Sequence, residues 1–346
     1  MGATLVLNCI INAAIIPLTG ILARRVFNAA AGLIAGFFAA AYPGVWLVAG
    51  QLTSEGLCTI FCLLAVYYTY RLYESLKIID AILVGVFAAL AALTRPEYIL
   101  LAPILLIPLF YKRSHISIKN AIKSGALILL TLVILMAPWS LRNTLDFGWQ
   151  NALTTVLGEA VQSANCNTTY YAPAHPNPHS YSGEGFQMVC ANVAYLTGNE
   201  GQQQDTLLTE GTSYIKTHLS RLPVVVIMRI GRTWEFFYPF GSAKQDHILE
   251  IWYYPADIVK VIIFYPLALF ALIGIILLNR RRQIYILPLL AVPIIVTLAV
   301  AIAGYDPRYR VMAEPFICML AAVGILGLHS KLARLKKSAT KNDLSL

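Results

Sequence analysis

Nine apolar runs, each close to the length of a membrane-crossing helix, recur along the chain at 3–22, 29–49, 55–73, 78–94, 97–111, 122–140, 255–278, 284–303 and 311–328. A helix needs roughly 20 mostly apolar residues to cross a bilayer. In lipid every backbone N–H and C=O must find its partner inside the protein, which favours helices over open strands. The runs therefore predict an all-α polytopic membrane protein. Composition agrees: 58% of the 346 residues are hydrophobic and 12% are charged, against about 25% charged in a soluble domain. The run at 97–111 carries Pro103 and Pro108 and reads as a half-helix buried among the others. No basic residue precedes the first run, so it does not read as a cleavable signal peptide.

The net charge of +9 is first a statement about topology, because short cytoplasmic loops collect Lys and Arg. With the tail "KLARLKKSATKNDLSL" inside, sixteen of the 26 basic residues fall inside, among them Arg24, Arg25, Arg71 and Lys77. Of the 17 acidic residues, only Glu74, Asp80 and Asp343 do. The chain then divides into an N-terminal bundle of six spans (1–140), an extracytoplasmic loop region (141–254), a C-terminal bundle of three spans (255–330) and a basic cytoplasmic tail (331–346). This threading puts residue 1 outside with a span starting almost at once, and it anticipates a further span and loop upstream.

The loop region is polar and rich in turn formers. Cys166 and Cys190 both lie in it, and on the outer side of a membrane such a pair reads as a disulfide, with free or metal-binding thiols as the alternatives. Cys9, Cys58, Cys62 and Cys318 lie in spans and read as small apolar fillers. His175 and His179 stand four apart in "HPNPH", where the prolines forbid the helix that would bring them together, so no metal site is expected. The stretch 223–240, "PVVVIMRIGRTWEFFYPF", reads as an interfacial or juxtamembrane helix.

The informative charges sit at the outer ends of spans. Glu55 opens the third run, Arg95 and Glu97 flank a proline in "LTRPEY", Arg142 follows "MAPWS", and "GYDPRYR" supplies Asp306, Arg308, Tyr309 and Arg310. The short outside connections hold no basic residues besides Arg95, Arg308 and Arg310. Each arginine alone could be an anchor that snorkels to lipid headgroups, and each acid could serve only to pair with its neighbour: Glu97 with Arg95, Asp306 with Arg308. Together they suit a phosphate at the membrane surface, since the guanidinium fork is always charged and binds phosphate through two N–H groups. Arg229 and Arg232 could reach the same headgroup or contact anionic lipid.

The segments "LARRVFN", "GLIAGFFAAAYPGVWLVAGQLTSEGL", "AALTRPEYILLAPILL", "APWSLRN" and "RYRVMAEPF" occur in that order. In this the chain resembles the GT-C membrane glycosyltransferases, in particular the protein-O-mannosyltransferase-like and aminoarabinose-transferase-like group. "ANCNTTYY" and "RIGRTWEFFYP" are similar to its actinobacterial branch. The resemblance implies a GT-C-like bundle in the plasma membrane, with its active site on the extracytoplasmic side. The donor would be a sugar on a polyprenyl phosphate and the acceptor a protein, lipid or polysaccharide hydroxyl, with membrane lipids as further partners and no nucleic acid. Arg308, Arg310, Tyr309 and Arg95 would bind the donor phosphate, and Glu55 would lie near a reacting sugar. The group's catalytic base sits in a first outside loop that has no counterpart here, so the chain is expected to be a fragment or an inactive form, with Glu55 as the remaining candidate base. No cofactor is required by the residues, and a divalent cation stays open. The alternatives are a polymerase or ligase using polyprenyl diphosphate donors, and a transporter or flippase. Against a transporter stand the lack of an internal repeat and the placement of charge at span ends rather than mid-span.

Overall fold

The computed structural model describes residues 2–110, 116–171, 196–281, 286–304 and 306–343. Within the described residues, each of the nine apolar runs is largely helical. The first is a pair, α1 (Gly2–Ala13) and α2 (Ile15–Val26). Next come α3 (Ala29–Ala41) and the short α4 (Pro43–Trp46), then α5 (Glu55–Ser75), α6 (Ile78–Thr94), α7 (Leu101–Leu106) and α8 (Ile118–Phe147). The polar region holds α9 (Leu157–Ala164), α10 (Asn167–Tyr171), α11 (Glu200–Thr217), α12 (Leu222–Thr233) and α13 (Pro239–Glu250). The chain closes with α14 (Tyr254–Arg281), α15 (Leu287–Ala303) and α16 (Glu314–Asp343).

Among the described residues, five helices are long and apolar enough to cross a membrane, or six if the bent pair Ala29–Ala41 and Pro43–Gly50 is one span. Ile78–Thr94, Pro96–Phe110 and Leu287–Ala303 are apolar but shorter. The expected half-helix at 97–111 is the middle one of these three, built from α7 between two 3₁₀ turns.

Prolines decide where these helices break. Pro43 has no N–H to give and disfavours helix at the residue before it, so Tyr42 is extended (φ −88°, ψ 115°) and the chain bends by 72°. Pro96 does the same to Arg95 (φ −146°, ψ 113°), which ends α6 there. Gly304 (φ 86°) closes α15, and the Asp306 side chain then accepts from the Arg308 N–H to start a 3₁₀ turn over Pro307–Ala313 that feeds α16.

Packing within the bundle uses small residues, as expected where lipid leaves no hydrophobic drive between helices. Gly274 of α14 and Gly324 of α16 let the two helices touch: a Cβ on Gly274 would overlap the Leu320 carbonyl, and one on Gly324 the Phe270 carbonyl. One end of the bundle carries the pairs Arg25–Glu74 (2.5 Å) and Arg71–Asp80 (3.2 Å). The opposite end, where α5 and α16 begin and α6 and α15 finish, carries the charges described next.

The segment expected as one helix over 223–240 is two. α12 docks on α15 through the Trp234 Nε1–H, which donates to Thr297 Oγ1 at 3.1 Å, and α13 follows after a break at Glu235–Tyr238.

Candidate functional site

Glu55 is the first residue of α5 and is 1% exposed. A carboxylate this deep costs several kcal/mol unless it is paired. Its partner is Arg95, which the Pro96 break throws out of α6: Arg95 Nη2 lies 2.5 Å from Glu55 Oε1, and Nη1 lies 3.2 Å from Glu97. The Arg95 guanidinium also stacks on the ring of Tyr309 at 4.7 Å. Burial works against the Arg95 charge, and Glu55 and Glu97 outweigh it, so its pKa stands above the usual arginine value.

Arg308 completes this group. Its Nη2 binds Asp306 Oδ2 at 2.9 Å, its Nε lies 3.1 Å from Glu250 Oε1, and Glu55 Oε1 is 3.9 Å away. Glu250, the last residue of α13, also accepts from Gln51 Nε2 at 3.4 Å, and Trp252 Nε1 donates to Gln51 Oε1 at 3.1 Å. The group thus sets two guanidiniums among four carboxylates, with the Arg308 side chain 27% exposed. Glu55 Oε2 is buried with no hydrogen-bond partner. The expected pairings of Glu97 with Arg95 and Asp306 with Arg308 are both present, and they hold the two arginines in one cluster instead of leaving them as separate anchors.

Arg310 is not part of it. A 3₁₀ turn repeats every three residues, so side chains two apart point about 120° from each other, and Arg310 turns into the bundle. There Nε binds Glu314 at 2.6 Å and Nη1 binds Glu235 at 3.0 Å and the Thr233 carbonyl at 2.9 Å. The Tyr42 hydroxyl, delivered by the Pro43 bend, donates to Glu314 at 3.2 Å. Lys260 continues the network to Asp257 at 2.5 Å, Asp246 at 3.7 Å and Glu235 at 3.8 Å. The Arg310 side chain is 5% exposed. The expectation that Arg308 and Arg310 face one phosphate assumed that alternate residues share a face, as in an extended loop; the 3₁₀ winding separates them.

Three more arginines stand elsewhere. Arg142 pairs with Asp146 on its own helix at 3.0 Å and is half exposed. Arg229 is buried, and its guanidinium caps helix ends: Nη1 donates to Ala301 at 3.0 Å in the last turn of α15, and Nη2 to Asn165 Oδ1 at 3.1 Å and to the Ala164 carbonyl that ends α9. Burial pulls its pKa down to about 10, partly offset by Tyr170, so it stays charged at neutral pH. Arg232 is buried and donates to Ser242 at 3.1 Å. A headgroup or lipid contact for Arg229 and Arg232 required exposed side chains; instead Arg229 ties the polar region to α15, and Arg232 ties α12 to α13.

Cys58, Cys62 and Cys318 are free and buried, and Cys9 is free and exposed. Cys166 is disulfide-bonded; Cys190, His175 and His179 lie outside the described residues. Among the described residues no three His, Cys, Asp or Glu side chains are placed to hold a metal ion. Sequence reasoning missed Gln51, Glu235, Glu250 and Lys260. Lys260 had a signal, since it stands three residues after Asp257 inside an apolar run.

Residues 3–140 match the family of dolichyl-phosphate-mannose-protein mannosyltransferases. No curated protein matches the sequence. The structure is similar to that of the archaeal oligosaccharyltransferase AglB from Archaeoglobus fulgidus, solved with an inhibitory peptide and a dolichol-phosphate, at 15% identity and a TM-score of 0.51 over 95% of this chain and 40% of that one. It is similar as well to an Archaeoglobus fulgidus oligosaccharyltransferase solved in the apo form, at 13% identity and a TM-score of 0.51 over 97% of this chain and 41% of that one. The chain thus spans about two fifths of the length of these enzymes. The fold is similar to that of these oligosaccharyltransferases, and residues 3–140 are the part of the chain that matches the mannosyltransferase family by sequence.

Proposed function

We propose that the chain belongs to a glycosyltransferase that moves a sugar from a polyprenyl-phosphate donor to a hydroxyl of a protein, lipid or polysaccharide on the extracytoplasmic side of the membrane. The observation that carries the reading is the pairing of Arg95 and Arg308 around buried Glu55 at one end of the bundle, with an edge of Arg308 open. A lipid phosphate has its charge at this depth while its tail stays among the helices. As the bond to the sugar breaks, negative charge grows on the leaving phosphate, and guanidiniums fixed beforehand stabilise that charge without reorganising. The carboxylate of Glu97 is partly exposed and suits sugar hydroxyls, to which it offers acceptor oxygens.

Glu55 is engaged by Arg95, so its role in this reading is to position that guanidinium. Arg142, Arg229, Arg232 and Arg310 serve the scaffold.

The test is transfer of labelled sugar from a polyprenyl-phosphate donor in sealed membrane vesicles expressing the gene. Arg308→Ala and Arg95→Ala should each lower turnover by about 100-fold, the usual effect of removing one fixed donor to a developing oxyanion. Right-side-out vesicles should use added donor and inside-out vesicles should not. Unchanged turnover in both variants would reduce the two arginines to anchors, and the reverse sidedness would overturn the orientation.

A further inference from the structure

The Arg308 guanidinium is already held by two anions: Asp306 of its own turn takes Nε at 3.2 Å and Nη2 at 2.9 Å, and a second carboxylate comes from α13. Glu250 Oε1 sits 3.1 Å from Arg308 Nε, beside the Asp306 carboxylate. Glu250 is the last residue of α13, and the next, Ile251, holds φ +55°. A β-branched residue in the left-handed region is a backbone outlier. Its side chain is 86% exposed, so no packing of its own repays that strain. The opposite end of α13 is similar, with Tyr238 at φ +49°. The helix is therefore held at both ends in a conformation its sequence disfavours, and such outliers persist only when surrounding contacts over-determine them.

Those contacts converge on Glu250. Gln51 Nε2 donates both to its backbone carbonyl and to its carboxylate, and Trp252 Nε1 donates to Gln51 Oε1 at 3.1 Å. Trp252 then packs with Val48 and Val311, which joins the end of α13 to the turn that bears Arg308.

We propose that α13 is a latch whose Glu250 carboxylate stands in for the donor phosphate on Arg308, and that donor binding is an exchange of one anion for the other. The inference rests on the donor-phosphate reading of Arg308. It also resolves a difficulty in that reading. Four carboxylates already surround two guanidiniums, so a phosphate added to the intact group would meet net negative charge; releasing Glu250 removes one of those charges from beside Arg308. The Glu250 charge is held reluctantly: burial raises its pKa, and Asp306 adds to this, while Arg308 and Gln51 work against it.

The test uses the full chain in lipid nanodiscs and tritiated farnesyl methyl phosphate, a phosphodiester with a single fixed charge. Glu250→Gln and Glu250→Ala should both bind the probe about fivefold more tightly than the wild type, on the order of what one partly exposed ion pair contributes. Arg308→Ala should bind it more weakly. If both Glu250 variants bind as the wild type does, or more weakly, while Arg308→Ala is impaired, the latch is wrong and the phosphate site stands. If Arg308→Ala binds as well as the wild type, the phosphate reading fails and the latch falls with it. A residue that merely held α13 in place would give weaker binding on removal, so tighter binding in two variants of different size separates competition from scaffolding.

Discussion

Removing the Arg310 side chain would leave Glu314 and Glu235 buried without their nearest cation. Taking one partner from a buried pair costs about 3–5 kcal/mol, because the other charge remains desolvated. Arg308 stands two residues away with its side chain 27% exposed, and surface-type pairs contribute about 0–1 kcal/mol. Arg310→Ala should therefore lower the thermal unfolding temperature of the purified protein sharply, whereas Arg308→Ala should lower it less and lose donor binding. Equal unfolding temperatures for the two variants would contradict the division into a scaffold arginine and a site arginine. The expense of charge near lipid made both residues conspicuous in the sequence. Their separation was not visible there, because it depends on the turn being 3₁₀ rather than extended. Glu250 was hidden for a different reason: it lies in a polar segment, 58 residues before Arg308, where an acidic residue raises no question.

Helix breaks rather than helices place the side chains of the site. Pro43 and Pro96 lie in the sequence in plain view, and their effect on the residue before them brings Tyr42 to Glu314 and Arg95 to Glu55. The nine apolar runs were legible for the same local reason, since length and hydropathy are properties of a segment. How α14 meets α16 was not, because a glycine in an apolar run is ambiguous until its neighbour is known. Gly274 and Gly324 face one another's helices with no room for a Cβ. That contact fixes α14, which carries Lys260, against α16, which carries Glu314. Gly324→Val should force the pair apart and disrupt the buried charge network, with a cost of about 1–3 kcal/mol typical of overpacking. Chemical denaturation in detergent checks this; a variant as stable as the wild type would show that the crossing is looser than described.

Across the whole molecule, charge is sorted to two ends. Arg25, Glu74, Arg71 and Asp80 pair at one, and Glu55, Arg95, Asp306 and Arg308 at the other. The sequence indicated this sorting because the bias of short loops needs only the span boundaries. It also put Arg310 with the second group, which the bundle interior claims instead. In the proposed site a lipid-linked phosphate binds between Arg95 and Arg308. The most direct measurement is a cryo-electron microscopy structure of the chain in nanodiscs with a farnesyl phosphodiester. Phosphate density should lie within hydrogen-bond reach of the Arg308 guanidinium, beside Arg95 and Tyr309, with Glu250 withdrawn. Phosphate density at Arg310, or at the Arg25–Glu74 end of the bundle, would contradict this placement.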